Sequence, residues 1–231
     1  VQPFDRDFSY QSPGEFLVAT IDRFFMPKLI LFGFDFRYGR NREGDITTAI
    51  DHYAPLGVLV EEGRPFPFAG ERVSSSLIRT SLQNGDVERA GRLLGYAYPL
   101  SGWVIHGKHR GRKLGFPTAN IGSVEVMIPK DGVYAVEILI TDASGFGKNL
   151  KWHAGVMNIG NNPTFEDVEA RSLEVFIFDF FGEIYGDRIF VRFLKHLRDE
   201  VKFPTVDLLI AQVTDDIDVA RKFFATIEKT I

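Results

Sequence analysis

The apolar positions of the first sixty residues alternate between helix-like and strand-like spacing. Ser12 can cap a helix over residues 12–25, which has Pro13 at its first position. The pattern then predicts a short apolar strand, a second helix and a second strand, over Leu29–Phe34, residues 44–53 and Leu56–Val60. This order of strand, helix and strand is typical of an open parallel sheet. The first part of the chain is therefore expected to be α/β, with Leu29–Phe34 as a buried parallel strand.

Two further helices are predicted before the pattern changes. The first begins at Ser74 and stops at Gly85, and the second begins at the capping residue Asp86 and stops at Gly95. Both glycines suit the left-handed residue that ends many helices. We expect these helices to complete the first domain, residues 1–97.

After Pro99, apolar and polar residues alternate with a period of two, which is the spacing of half-buried strands. The predicted strands are residues 100–106, 116–121, 131–141, 150–159, 172–181 and 188–196. Antiparallel strands in this number favour a closed barrel, because closure removes exposed edges. Thr205 can then cap two amphipathic helices that are broken near Thr214–Asp216. The second domain, residues 98–231, is thus expected to be an all-β six-stranded antiparallel barrel with C-terminal helices.

Composition narrows the class of protein. Of the 231 residues, 45% are hydrophobic and 25% are charged, and no apolar run is long enough to span a membrane, so we expect a soluble globular protein. The formal net charge of −4 argues against a surface built to follow nucleic acid. The chain has no cysteine, which excludes disulfides and thiolate chemistry and fits a cytoplasmic location.

A basic segment that contains glycine is the first candidate for binding chemistry. Residues 106–122 read HGKHRGRKLGFPTANIG and include Gly107, Gly111 and Arg112. Glycine lets consecutive backbone N–H groups converge on one anion, and basic side chains strengthen such contacts. The segment is therefore a candidate for holding a polyphosphate. The alternative is a solvated hairpin tip, which is the more common role of a basic turn.

Thr118 and Asn120 follow this segment, two positions apart on a predicted strand. That spacing places a hydroxyl and an amide oxygen on the same face. Both are hard oxygen ligands, and Mg²⁺ usually takes only one or two protein ligands beside phosphate oxygens. Next to a phosphate-binding loop, this pair is sufficient for a Mg²⁺ site.

These motifs, together with GVYAV, GVMNIGNNPTF, LEVFIFDF and IYGDRIFVRF, resemble the riboflavin kinase module of bacterial bifunctional flavin kinase and FAD synthetases. The resemblance covers residues 98–230. It implies a barrel that binds ATP, as co-substrate with Mg²⁺, through Gly107, Gly111, Arg112, Thr118 and Asn120, of which Thr118 and Asn120 serve the metal. It also implies the reaction, which transfers the γ-phosphoryl group of ATP to the 5′-hydroxyl of riboflavin and gives FMN.

Glu174 is the candidate for the proton acceptor that this reaction needs. A period of two places it on the same face as Phe176, Phe178 and Phe180. From the residues alone, an ion pair with Arg192 on the next strand is the stronger interpretation. The resemblance favours catalysis, because the matching glutamate is the family's proposed base.

Arg198 and Glu200, within LRDEVKFP, match the flavin-side segment of the same family. An arginine at this position can stack on the isoalloxazine ring or bind the product phosphate. The alternative is an ion pair beside the helix that follows, and the sequence does not decide between the two.

The first part of the chain resembles the later half of the flavin adenylyltransferase domain of these enzymes, through LFGFDFRYGRNREGD and VSSSLIR. The resemblance implies that Asp35, Phe36 and Gly39 help to hold the flavin. It also implies that Ser75 and Arg79 bind ATP phosphates at the start of a helix. The H-x-G-H motif of that superfamily would precede this stretch, so we expect an incomplete Rossmann-like nucleotidyltransferase sheet. Adenylylation of FMN to FAD is then expected only of the intact N-terminal domain.

Two other functions compete with this interpretation. A flavin-binding or storage module would keep the barrel without catalysis. An OB-like barrel that binds oligonucleotides would use the basic loop and exposed aromatic residues, and the net negative charge counts against it. The expected partners are therefore riboflavin, FMN and ATP, with neither nucleic acid nor membrane.

Overall fold

A computed structural model describes residues 2–107, 111, 114–142, 151–161 and 171–227 of the chain. These residues fall into two compact units, residues 1–73 and residues 74–231. Each unit has its own cluster of buried apolar side chains.

The first unit has the predicted α/β order. Its helices are α1 (Arg6–Ser9), α2 (Pro13–Phe16), α3 (Arg23–Phe25) and α4 (Ile46–Tyr53), and its strands are β1 (Leu29–Gly33), β2 (Leu59–Gly63), β3 (Pro67–Phe68) and β4 (Glu71–Arg72). A π-helical turn over Leu17–Asp22 joins α2 to α3, so the predicted first helix is nearly continuous. Ser12 caps it, since its hydroxyl accepts the backbone N–H of Glu15 at 3.3 Å. Strands β1 and β2 pair in parallel, as the sequence predicts.

Only one face of this parallel sheet is covered by the helices of the unit. Phe32 is buried in a cluster with Leu17 and Tyr53. On the other face, Leu29 and Leu31 are 51% and 65% exposed. The expectation of a buried β1 is therefore wrong for the face of Leu29 and Leu31, because the helical residues of this unit, Leu17 and Tyr53 among them, pack against the face that carries Phe32.

The second unit contains the barrel. Its helices are α5 (Ser75–Gln83), α6 (Val87–Leu94) and α7 (Val206–Ile227), and its strands are β5 (Tyr98–Ile105), β6 (Ala119–Gly122), β7 (Gly132–Thr141), β8 (Trp152–Asn161), β9 (Arg171–Ile177) and β10 (Arg188–Asp199). The six strands β5 to β10 close into a barrel in the order β10–β5–β6–β9–β8–β7, and every neighbouring pair is antiparallel. Alternate residues, such as Leu173 and Val175, fill its core. The predicted closed barrel is confirmed.

Helices α5 and α6 pack on the barrel. Leu82 of α5 and Val87 of α6 are buried in the same cluster as the barrel strands. The backbone N–H of Lys130 donates to the Leu82 carbonyl at 2.9 Å, which ties α5 to the segment before β7. For this reason the two units divide before Ser74, whereas the change of sequence pattern places the domain boundary after residue 97.

The C-terminal segment forms one helix, α7, where the sequence predicts two. The Thr214 hydroxyl donates to the Ile210 carbonyl at 2.9 Å, within the helix. Asp216 is buried and accepts a hydrogen bond from Arg198 at 2.7 Å. The polar residues that suggested a break are thus satisfied inside a continuous helix. Across the described ranges, no helix combines the length and the apolar character needed to cross a membrane.

Candidate functional site

A row of polar side chains crosses the outer face of three neighbouring strands. Glu174 on β9 lies opposite Asn120 on β6 and opposite Asn158 on β8. The residues that flank Glu174 along β9 are Leu173 and Val175, and both belong to the barrel core. Successive side chains of a strand point to opposite faces, so Glu174 lies on the outside. All three members of the row are partly buried.

Thr118 connects this row to a cavity. Its hydroxyl donates to Oε2 of Glu174 at 3.1 Å. Thr118 also lines a cavity of about 580 Å³, whose other lining residues include Val104, Ala119, Val175, Ile177 and residues 180–185. This volume is in the usual range of small-molecule sites. Thr118 therefore contacts both the cavity and the candidate proton acceptor.

Two glycines bring the backbone close to the predicted oxygen ligands. A Cβ atom at Gly107 would lie 2.9 Å from Oδ1 of Asn120 and closer still to its Nδ2. A Cβ atom at Gly111 would lie 3.1 Å from Oγ1 of Thr118. A Cβ atom at Gly111 would also meet the backbone oxygen of Phe116, so that position requires a residue without a side chain, whereas a side chain at Gly107 would displace the Asn120 amide. Arg112, the third residue expected to hold phosphate, lies outside the described residues.

Aromatic rings continue the outer face beyond Glu174. The rings of Phe176 and Phe178 lie with their centroids 5.9 Å apart. Phe180 does not extend this row, because the strand has ended and Asp179 adopts a left-handed conformation with φ 52°. Phe180 lines the cavity instead. The predicted row of three phenylalanines beside Glu174 is thus wrong at its last member.

Arg192 does not pair with Glu174. The barrel order places β10 between β5 and β7, so β10 is not a neighbour of β9. Arg192 lies 3.9 Å from the carboxylate of Glu137 on β7, and its guanidinium lies 3.8 Å from the ring centroid of Trp152. The ion pair considered for Glu174 is therefore wrong.

Arg198 forms an ion pair with the buried Asp216 of α7. Its Nε donates to Oδ1 of Asp216 at 2.9 Å and its Nη2 donates to Oδ2 at 2.7 Å. Gln212 donates to the same carboxylate at 3.0 Å. This geometry favours the ion-pair alternative, and a contact between Arg198 and the flavin stays a prediction.

Glu200 lies against the outer face of β8. A Cβ atom at Gly160 would lie 2.6 Å from Cδ of Glu200, so glycine makes room for the carboxylate. Gly160 is two residues from Asn158 and shares its face. Glu200 therefore borders the polar row, and a contact between Glu200 and the flavin stays a prediction.

Asn158 belongs to the row although the sequence analysis assigned it no role. Its neighbours along β8, Met157 and Ile159, are fully buried. A polar residue between two core residues of a strand has to face outward. The alternation in VMNI was therefore enough to predict that Asn158 faces outward. The sequence did not reveal that Asn158 lies opposite Glu174.

The residues expected to hold flavin in the first unit lie on and after the turn that ends β1. Phe36 lines an apolar cavity of about 170 Å³, which is smaller than a typical site for a flavin-sized ligand. Asp35 accepts a hydrogen bond from Arg72 at 2.8 Å. Gly39 has φ 73°, and a Cβ atom there would lie 2.7 Å from the nitrogen of Pro13.

The residues expected to meet ATP phosphates in adenylyl transfer lie in the second unit. Ser75 and Arg79 are exposed and stand four residues apart on α5, which places them on one side of the helix. Ser74 caps the helix, since its hydroxyl accepts the backbone N–H of Leu77 at 3.2 Å. The capping hydroxyl thus belongs to Ser74, and Ser75 occupies the first position of the helix.

Two family models match the chain, one in each part. The riboflavin kinase model matches residues 94–224, which include every strand of the barrel. The FAD synthetase model matches residues 1–77, which include the parallel sheet and the start of α5.

Similar proteins cover nearly the whole chain. A bifunctional riboflavin kinase/FMN adenylyltransferase from Haemophilus influenzae is 37% identical over 224 residues, which are 97% of this chain and 70% of the relative. The enzyme of the same name from Listeria monocytogenes is 39% identical over 226 residues, 97% of this chain and 69% of the relative. A crystal structure described as a macrolide-efflux protein from Streptococcus pneumoniae superposes with a TM-score of 0.80 at 33% identity, over 94% of this chain and 67% of that chain. The chain belongs to the bifunctional riboflavin kinase/FMN adenylyltransferase family.

Proposed function

We propose that the barrel is a riboflavin kinase. It transfers the γ-phosphoryl group of ATP to the 5′-hydroxyl of the ribityl chain and releases FMN and ADP. One observation supports this most directly: Thr118 lines the cavity and also donates a hydrogen bond to Glu174. Phosphoryl transfer needs a donor phosphate and a proton acceptor on either side of one reacting hydroxyl, and Thr118 lies where the two would meet.

The two substrates are assigned to the two faces that Thr118 joins. The cavity accepts ATP, with its phosphates toward Gly107, Gly111 and Thr118. Riboflavin lies over the outer face, where Phe176 offers an aromatic surface and Glu200 borders the row. Attacking and leaving oxygens are roughly in line in such reactions, so substrates on opposite sides of the polar row suit the chemistry.

Glu174 accepts the proton of the attacking hydroxyl in this proposal. A carboxylate offers several lone pairs, so the hydrogen bond from Thr118 leaves room for a second donor. That bond also fixes the carboxylate in place before substrate binds. Asn120 and Asn158, directly across on the neighbouring strands, add amide groups that can orient the ribityl chain or the phosphate.

Thr118 and Asn120 are suited to Mg²⁺. The Thr118 hydroxyl directs its proton toward Glu174, so its lone pairs remain available to a cation. The absence of a side chain at Gly107 gives the Asn120 amide the space it occupies. Among the described residues no group of three or more His, Asp or Glu could hold a metal by itself, which fits an ion bound partly by phosphate oxygens. When bound, Mg²⁺ neutralises charge that develops on the transferred phosphate.

Adenylylation of FMN to FAD is the second proposed activity, and we assign it to the N-terminal domain. The match of residues 1–77 to the FAD synthetase model supports it. Asp35, Phe36 and Gly39 are proposed to hold the flavin, and Ser75 and Arg79 the ATP phosphates. Both reactions are proposed to take place in the cytoplasm, which suits a chain without cysteine.

One assay tests the proposal directly. The chain is incubated with riboflavin, ATP and MgCl₂, and riboflavin, FMN and FAD are separated chromatographically. Formation of FMN supports the kinase assignment, and FAD would add the second activity. Tight binding of riboflavin without consumption of ATP would instead indicate a storage module and overturn the kinase assignment.

Thr118→Val should lower kcat/KM for FMN formation by about 10- to 100-fold, because it removes the hydroxyl while keeping the shape of the side chain. The barrel should melt at nearly the wild-type temperature, since Thr118 is outside the buried core. Initial rates at saturating riboflavin and varied ATP concentration would measure the loss of kcat/KM. A variant with unchanged kcat/KM would remove Thr118 from the site.

Gly107→Ala should raise KM for ATP about 10-fold, because the added methyl group would displace the Asn120 amide. Gly14→Ala is the matched control, since a Cβ atom at Gly14 meets nothing within 4 Å. ATP titrations of the initial rate would measure both variants. Equal behaviour of the two variants would contradict the assigned role of Gly107.

A further inference from the structure

The cavity beside Thr118 has an aromatic edge formed by the segment after β9. Phe180 and Tyr185 line it and are partly buried, whereas Phe181, which also lines it, is 96% exposed. A single exposed apolar side chain is ordinary on a protein surface. Phe181 differs because its ring stands beside a cavity of ligand size. A ligand in that cavity would give the ring the apolar contact that it lacks.

The backbone around Phe181 explains why this ring stands apart from its neighbour. Asp179 is left-handed, with φ 52°, and diverts the chain after β9. A Cβ atom at Gly182 would lie 3.3 Å from the ring of Phe180, so glycine lets the backbone pass closely over that ring. Phe180 therefore packs inward while Phe181 projects outward at the edge of the cavity.

If the cavity binds ATP, as the proposed function states, the planar ring at its aromatic edge is the purine base of the nucleotide. The triphosphate has to reach Thr118, beside Glu174. Apart from Glu183, the remaining lining residues are mostly apolar or small, among them Pro117, Ala119 and Ile184, which suits an apolar ring. The purine base is the part of ATP that matches such walls, and riboflavin is assigned to the outer face.

We propose that Phe181 stacks on the purine base of bound ATP and is a specificity-determining residue for the nucleotide. A phenyl ring offers a large contact area and has only two rotatable side-chain bonds to fix, so stacking costs it little conformational freedom. Stacking on a base also tolerates different bases, since each has a π-face. Phe181 thus contributes affinity for a nucleobase over a bare polyphosphate.

Phe181→Ala should raise KM for ATP about 10-fold, within the roughly 5- to 150-fold range that loss of one aromatic–base stack produces. The kcat and the KM for riboflavin should stay near wild type, because the ring touches neither the reacting groups nor the outer face. Phe181→Tyr keeps an aromatic ring and should have the wild-type KM for ATP. Phe66→Ala, which removes an exposed ring that does not line the cavity, is the matched control and should change nothing.

Calorimetric titration separates this inference from the proposed function. Wild type should bind MgATP more tightly than magnesium tripolyphosphate, and Phe181→Ala should weaken MgATP about 10-fold while leaving tripolyphosphate unchanged. If wild type forms no FMN, the kinase assignment fails, and these titrations still test the stack. An unchanged affinity for MgATP in Phe181→Ala, or a raised KM for riboflavin instead of ATP, would overturn the inference.

Discussion

Replacing Glu174 by glutamine should lower kcat for FMN formation by about 10²- to 10⁴-fold, the usual contribution of a positioned general base. Glutamine keeps an oxygen that can accept the Thr118 hydroxyl proton, so the local geometry should persist. KM for ATP should therefore change little, because the nucleotide is proposed to bind on the other side of Thr118.

Glu137→Gln is the control for this variant. Glu137 is also a strand carboxylate on the barrel surface, but it faces Arg192 and lies outside the polar row. Its kinetics should match those of the wild type. If Glu174→Gln turned over riboflavin at the wild-type rate, the proton would have to leave by another route and the assignment of the base would fail.

Replacing Asp216 by alanine should lower the free energy of unfolding by about 3 kcal/mol, the lower end of the range for breaking a buried ion pair. Asp216 and Arg198 have side chains that are 7% and 22% exposed, so the alanine variant leaves a largely buried guanidinium without its partner. The melting temperature should fall by about 2–4 °C for each kcal/mol in a unit of this size. Thermal and urea unfolding, followed by circular dichroism, would measure the change.

A second Arg–Asp pair, which also has one member on α7, provides the comparison. Arg221 of α7 donates to Asp179 at 2.9 Å, but these side chains are 46% and 75% exposed. Asp179→Asn removes that charge and still tolerates the left-handed backbone, so its stability should stay close to that of the wild type. If Asp216→Ala were no more destabilising than Asp179→Asn, the Arg198 pair would not hold α7 on the barrel. If Asp216→Ala raised the KM for riboflavin without any loss of stability, the result would instead support a contact between Arg198 and the flavin.

Local patterns were enough to predict most of the fold. Capping chemistry located helix starts at Ser12 and Asp86, because a side-chain oxygen there satisfies backbone N–H groups that the helix cannot. Alternation located each barrel strand because the interior of the barrel is apolar throughout. The prediction of a break in α7 was wrong because Asp216 is hydrogen-bonded by Arg198, a residue distant in the sequence. No local pattern reveals such a partner.

The site was predicted less completely, because it depends on which strands are neighbours. The sequence placed Thr118, Asn120 and Glu174 on strands, but without the resemblance it favoured an ion pair between Glu174 and Arg192 of the next strand along the chain. The barrel order instead sets Glu174 between Asn120 and Asn158. Register across strands is fixed by the closed sheet as a whole, so a single sequence gives the face of a residue and not its neighbours.

The attachment of α5 and α6 to the barrel decides how much polypeptide is needed to obtain the kinase as a separate protein. A truncated version that starts at residue 98 retains all strands but lacks Leu82 and Val87, and it would present bare apolar surface to solvent and tend to aggregate. One that starts at Ser74 retains that cover. It also retains Ser75 and Arg79, so excision of the kinase would remove two proposed phosphate ligands from the adenylyltransferase.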